Sequence, residues 1–348
     1  MRSNIKYLIF IVLIIFIFAA GTVSANDFQN TTLDAVSDES SDLKLSNVSD
    51  NLISEQSGEI TVNNWDDLQL YCSKNDANYV LKLKENTNFY PTNPTDESYR
   101  IVVNNNVTII GSSGSYIGDS SPDARTITYL AIDVPENSGI GITLKDVTFK
   151  WINVKYQPNA GFLQMAGNSN NYIENCCFTN STLEGGHSSL VYLLRGYASI
   201  TNCTFTDIIS DFGVVSIYDP KDDPTKACTS AHMDVTDSYF ESNYARSEPG
   251  CINNCGVLVV RNSTFAKNTA FQWAGAIHTH GGANTTIYDS IFTDNLAGWN
   301  GGALYTYSYL QIYNTIFIGN NCTTNNGGGA IGAYNYLTSP HIYIQDIS

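Results

Sequence analysis

The sequence predicts an all-β fold, a right-handed parallel β-helix with about 25–35 residues per coil and an N-terminal capping helix. Three observations carry this. Seven times between Asp146 and Phe317 the chain writes Asn or Asp, two residues, then Phe, with Phe149, Phe178, Phe205, Phe240, Phe265, Phe292 and Phe317 spaced by 29, 27, 35, 25, 27 and 25 residues. Self-similarity at that period marks a stacked repeat. Apolar and polar residues alternate before each Phe, as in Thr286-Ile287-Tyr288-Asp289-Ser290-Ile291-Phe292, which is the period of a strand. A small-residue step then precedes a second short apolar run, as in Gly301-Gly302-Ala303-Leu304 and Gly328-Gly329-Ala330-Ile331. A β-propeller blade needs about 40 residues and four strands, more than these steps supply. The right hand follows the general rule for parallel crossovers.

Residues 1–25 read as a signal peptide: Arg2 and Lys6, an apolar run from Tyr7 to Ala20, then Val23-Ser24-Ala25 as the cleavage site. Residues 26–58 are rich in Asp, Ser and Asn and too poor in aromatics to bury a core, so they are expected to form a disordered linker. Residues 59–140 are expected to hold a cap and irregular first coils. Asn64 can cap a short helix over Trp65–Cys72 with Asp67 in its first turn. Tyr79–Leu83, Ile101–Val103 and Val107–Gly111 read as strands of the irregular first coils. A cap is physically required, because an open coil end exposes apolar core and strand edges.

Residues 141–348 are the regular coils. With one coil lying about 4.8 Å above the last, the Phe residues should form an interior ladder. Small residues two before them (Cys176, Cys203, Ser238, Ser263, Ser290, Thr315) leave room beside it. Asn and Asp suit the left-handed corners and can bond along the stack. At the far end, residues 341–348 repeat the lead-in to an eighth Phe and stop before it, so a longer protein is expected.

The chain carries a formal net charge of −16 and a pI near 4.5, which opposes nucleic-acid binding. Its eight cysteines, in a chain read as exported, are expected to be buried thiols or disulfides; Cys176 and Cys203, on one ladder position of successive coils, are the candidate bridge. A zinc site from Cys228, Cys251, Cys255 and His232 is weak, because no CxxC pair exists. Of eight Asn-x-Ser/Thr sequons, Asn180, Asn202, Asn262 and Asn321 fall within the repeat, while Asn30, Asn47, Asn106 and Asn284 are the glycosylation candidates.

Residues that recur in every coil belong to the scaffold, so a site must lie where the repeat breaks. Two breaks stand out. The inserted loop Tyr218–Lys226 holds Asp219, Asp222 and Asp223, which could bind calcium or sugar but are also ordinary surface-loop residues. His278-Thr279-His280 puts two imidazoles on one face of a strand, part of a metal or acid–base site. The Gly-Ala register matches His278 with Tyr305, and His280 with Tyr307 and Tyr334, so an aromatic ladder is the plainer reading. Rows of tyrosine can stack on sugars or pack against proteins.

The pairing of Gly301-Gly302-Ala303-Leu304 with Phe292-Thr293-Asp294-Asn295, with variants at Phe265/Gly275 and Phe317/Gly329, resembles the repeat of chlamydial polymorphic outer-membrane proteins. More closely, it resembles the adhesin-like surface proteins of methanogenic archaea, as do the Asn64–Leu68 helix start and the Asn104–Ser112 strand. The resemblance runs from about residue 59 to the end and implies a secreted, envelope-anchored β-helix used in adhesion. The reading is therefore a non-catalytic surface β-helix with no cofactor, binding polysaccharide or protein on another cell and anchored through a C-terminal region beyond this sequence. The alternatives are a β-helix polysaccharide lyase or hydrolase, or a structural envelope element. Three or more carboxylates, or carboxylates with His278, His280 or Lys226, in one groove within about 5–9 Å would favour the enzyme.

Overall fold

In a computed structural model, residues 58–93, 100–120, 131–136, 138–155, 161–185, 189–218, 229–324, 327–334 and 341–347 are described. Residues 1–25, read as a signal peptide, all but the last of residues 26–58, read as a linker, and the Asp219–Asp223 loop lie outside them. The described chain winds as a right-handed parallel β-helix, every strand pairing parallel to its equivalent one coil away. One coil runs through Val257–Arg261 on a first face, Thr264–Ala266 and Thr269–Ala270 on a second, and Ile277–Thr279 on a third. The third face is a nine-stranded sheet in strict chain order, from Ile101–Val102 to Ile331–Ala333.

The Phe ladder forms as the spacing predicts. Successive rings from Phe149 to Phe317 stack nearly parallel at 4.6–5.1 Å. Aliphatic ladders complete the interior, Leu144-Ile173-Ile200-Val235-Val260-Ile287-Ile312 on the first face and Ile132-Leu163-Val191-Val215-Ile252-Ile277-Leu304 on the third.

The motif's Asn or Asp turns the corner between first and second faces. Asp146, Asn175, Asn202, Asp237, Asn262, Asp289 and Asn314 all have φ between 43 and 56°, a conformation these side chains tolerate better than most. Their side chains bond along the outside, Asn262 Nδ2 donating to Asp237 Oδ1 at 2.6 Å. The small residue that follows does more than leave space. Ser263 Oγ accepts from the Ser238 amide at 3.1 Å and donates to the Arg261 carbonyl at 2.7 Å, and Ser238 and Ser290 make the same bonds.

The Asn and Asp residues after each Phe divide into two roles. Asn180 and Asp207, two residues on, are left-handed corners, where later coils use Ser242, Lys267, Asp294 and Gly319. Asn243, Asn268, Asn295 and Asn320, three on, form an amide ladder. The Oδ1 of Asn268 takes both the backbone and side-chain N–H of Asn243, while its own Nδ2 reaches the Phe240 carbonyl at 3.0 Å. The small-residue step is a place of contact between backbones: a Cβ on Gly275 would collide with the Gly302 carbonyl, and one on Gly302 with that of Gly329.

The N-terminal helix α1 spans Trp65–Ser73, with Asn64 Oδ1 accepting from the Asp67 amide at 2.9 Å as expected. Trp65, Leu68 and Cys72 enter the core. Among the described residues no helix is long and apolar enough to cross a membrane.

Candidate functional site

The outer side of the third face is where the coils stop being alike. Strand alternation points the middle residue of each three-residue strand outward. In register these are Gln164, Tyr192, Ser216, Asn253, His278 and Tyr305. From Tyr192 onward they are buried, and His278 is 0% exposed. The cover includes the turn between second and third faces, which brings Glu248 over one coil and Trp273 over the next. Arg246 ties down the first of these turns, donating to Asp211 Oδ1 (3.1 Å), Glu184 Oε1 (2.9 Å) and the Leu183 carbonyl (3.1 Å).

His278 and His280 lie together as the alternation predicts, with ring centroids 4.0 Å apart. The expected aromatic ladder also forms: His278 lies 5.3 Å from Tyr305 and 5.2 Å from Tyr307, and Tyr307 lies 6.2 Å from Tyr334. What the sequence did not disclose is Glu248. Its Oε2 stands 3.2 Å from His278 Nδ1, at an angle that makes no hydrogen bond. The ligand atoms of Glu248, His278 and His280 all lie within 4.8 Å of one another, the one such group among the described residues. Asn253 completes the surroundings, its Oδ1 at 2.7 Å from His280 Nε2.

Burial sets the protonation of this cluster. It pushes the Glu248 carboxyl up to about 7, against the opposing pull of His280. It drives the His278 imidazole down to about 3, so that ring is neutral at physiological pH. Burial also raises the Tyr307 phenol. A neutral imidazole beside a carboxyl poised near neutrality can exchange a proton or hold a cation. His278 is sealed from substrate, whereas His280 and Tyr307 are half-buried.

The tyrosine candidates separate by exposure. Tyr305 is buried at 4% and offers no ligand face, because Trp273 stacks over it at 6.1 Å; Tyr334 is 55% exposed. Trp273 and Trp299 were not legible as site residues, yet they extend the aromatic string, meeting edge-on at 5.0 Å with Trp299 45% exposed.

The other candidates lie apart. His232 pairs with Asp234 on the first face at 3.1 Å, and Cys251 is buried in the core, so the structure does not gather them; Cys228 lies outside the described residues. Cys176 and Cys203 share a ladder position as thiols, Cys203 Sγ accepting from the Cys176 amide at 3.4 Å. Asn106 and Asn284 are exposed, Asn106 Oδ1 taking the Gly141 amide at 2.9 Å; Asn30 and Asn47 lie outside the described residues. A separate shallow groove of about 460 Å³ near Gly111–Tyr116 includes Lys150, whose ammonium sits 3.8 Å over the Tyr116 ring. No protein-family model matches the chain, and no curated protein matches it.

Proposed function

We propose that the chain is a non-catalytic recognition β-helix of the cell surface, binding polysaccharide or protein on another cell through the outer side of its third face. One observation carries the reading. Trp299, Trp273, Tyr305, Tyr307 and Tyr334 form a continuous string of rings across neighbouring coils, each 5.0–6.2 Å from the next and exposed at both ends. Its buried middle fixes the two exposed rings, so little side-chain entropy is lost when they stack on a partner. Phe271, also exposed, extends the apolar surface on the turn before Trp273. The resemblance to adhesin-like envelope proteins, the signal-peptide pattern of residues 1–25 and the net charge of −16 support display outside the cell.

A second reading, a polysaccharide lyase or hydrolase, is favoured by Glu248 standing beside His278 and His280. Against hydrolysis, the cluster contains one carboxylate where two are required at about 5–9.5 Å. A screen of the purified chain against polysaccharides and surface proteins, scoring both binding and product release, tests both readings. The recognition reading expects binding without turnover, weakened at least tenfold by the double substitution Trp299→Ala/Tyr334→Ala. Product release abolished by Glu248→Gln would establish the enzyme instead.

A further inference from the structure

We propose that Glu248, His278 and His280 bind one divalent transition-metal ion of the zinc class. Buried polar atoms normally have partners, and a cluster without them calls for an explanation. Here Glu248 Oε2 and both ring nitrogens of His278 are buried without a hydrogen bond, all on one side of a single sheet. Among the described residues no Lys or Arg pairs with Glu248. An ion between these groups supplies the missing partner to the carboxylate and to one imidazole nitrogen together.

The geometry suits such an ion. Donors around a tetrahedral ion with bonds of about 2.0–2.1 Å are separated by about 3.4 Å. Glu248 Oε2 and His278 Nδ1 are already 3.2 Å apart, and His280 brings a ring nitrogen into the same group, in which one ligand atom from each residue lies within 4.8 Å of the others. His280 is oriented for the task. The Asn253 amide oxygen only accepts, so His280 Nε2 carries the proton and the lone pair resides on Nδ1. An outer partner that fixes a ligand's tautomer is a common support of metal-binding histidines.

Two imidazoles and one carboxylate select zinc-like ions over calcium or magnesium, which prefer six or more oxygens. Trp273, Tyr305 and Tyr307 wall the cluster, with centroids 5.2–6.3 Å from the His278 ring. Three protein donors leave a position of the ion for solvent. The inference stands apart from the recognition reading, since metal binding and polysaccharide binding are measured separately.

The test uses the full chain, stripped with chelator and titrated with cobalt(II) alone, then with zinc. Expected are one cobalt per chain, visible bands of a four- or five-coordinate ion, no near-ultraviolet thiolate band, and displacement by one equivalent of zinc. Glu248→Gln and His280→Ala should each weaken binding tenfold or more, with the fold checked by circular dichroism. If His280→Ala fails to fold, the isosteric Glu248→Gln decides. A folded wild-type chain that takes up no cobalt, a thiolate band, or unchanged affinity in Glu248→Gln would overturn the proposal.

Discussion

Phe205 and Phe240 stack at 4.6 Å with their planes 2° apart, although 35 residues separate them. Phe240 and Phe265, only 25 residues apart, stack at 4.7 Å and 6°. The ladder therefore holds its register across coils of very different length. Extra residues are accommodated outside the paired strands, because the stacked ring and its flanking strand bonds fix each coil against the next.

That ladder carries the first prediction. Phe240→Ala removes a fully buried ring between two stacked neighbours and should cost about 3–5 kcal/mol. Ile291→Ala, at a partly exposed position one residue before Phe292, should change stability by about 0.5 kcal/mol or less. Urea unfolding of both variants checks the contrast; equal losses would contradict the ladder's role.

Asn268 tests the amide ladder. Replacing it with Ala leaves the Asn243 amide without its acceptor and the Phe240 carbonyl without its side-chain donor, both buried. The expected cost is about 3 kcal/mol. Asn321→Ala, at the exposed position just after the ladder's Asn320, should be nearly silent in the same denaturation experiment.

Lys267 occupies a left-handed corner with φ 55° and pairs with Glu241 at 2.7 Å. The ion pair is largely exposed and contributes little, so the backbone decides. Lys267→Gly should leave the thermal midpoint nearly unchanged, as Gly319 already fills the equivalent corner two coils on. Lys267→Val should lose about 1–2 kcal/mol, because a β-branched side chain opposes this conformation.

Thiol chemistry separates the cysteines by burial. Cys72 is fully buried and its thiol is pushed up to about 12, so little nucleophilic thiolate forms. Iodoacetamide on the folded chain should label Cys177 and Cys322 first and spare Cys72, Cys176, Cys203, Cys251 and Cys255. After denaturation without reductant all eight cysteines of the chain should label, Cys228 included. Protection persisting at Cys176 and Cys203 would mean that they are bridged.

The sequence alone determined whatever repeats. In a parallel stack a fixed period in sequence becomes a fixed line in space, so the Phe ladder, the Asn and Asp corners and the pairing of His278 with Tyr305 were all legible from spacing, and the capping helix from its Asn64 cap. It also excluded recurrent residues from the candidate site. The tertiary structure alone decided what lies across that line. Glu248 sits 30 positions before His278 (278 − 248), in a turn without the motif, and only the path of that turn over the third face brings the carboxylate to the imidazole. The same paths buried Tyr305 beneath Trp273 and left Trp299 and Tyr334 exposed. Strand alternation assigns a side chain to the inner or outer side of a sheet, but whether an outer residue meets water depends on what folds back over it.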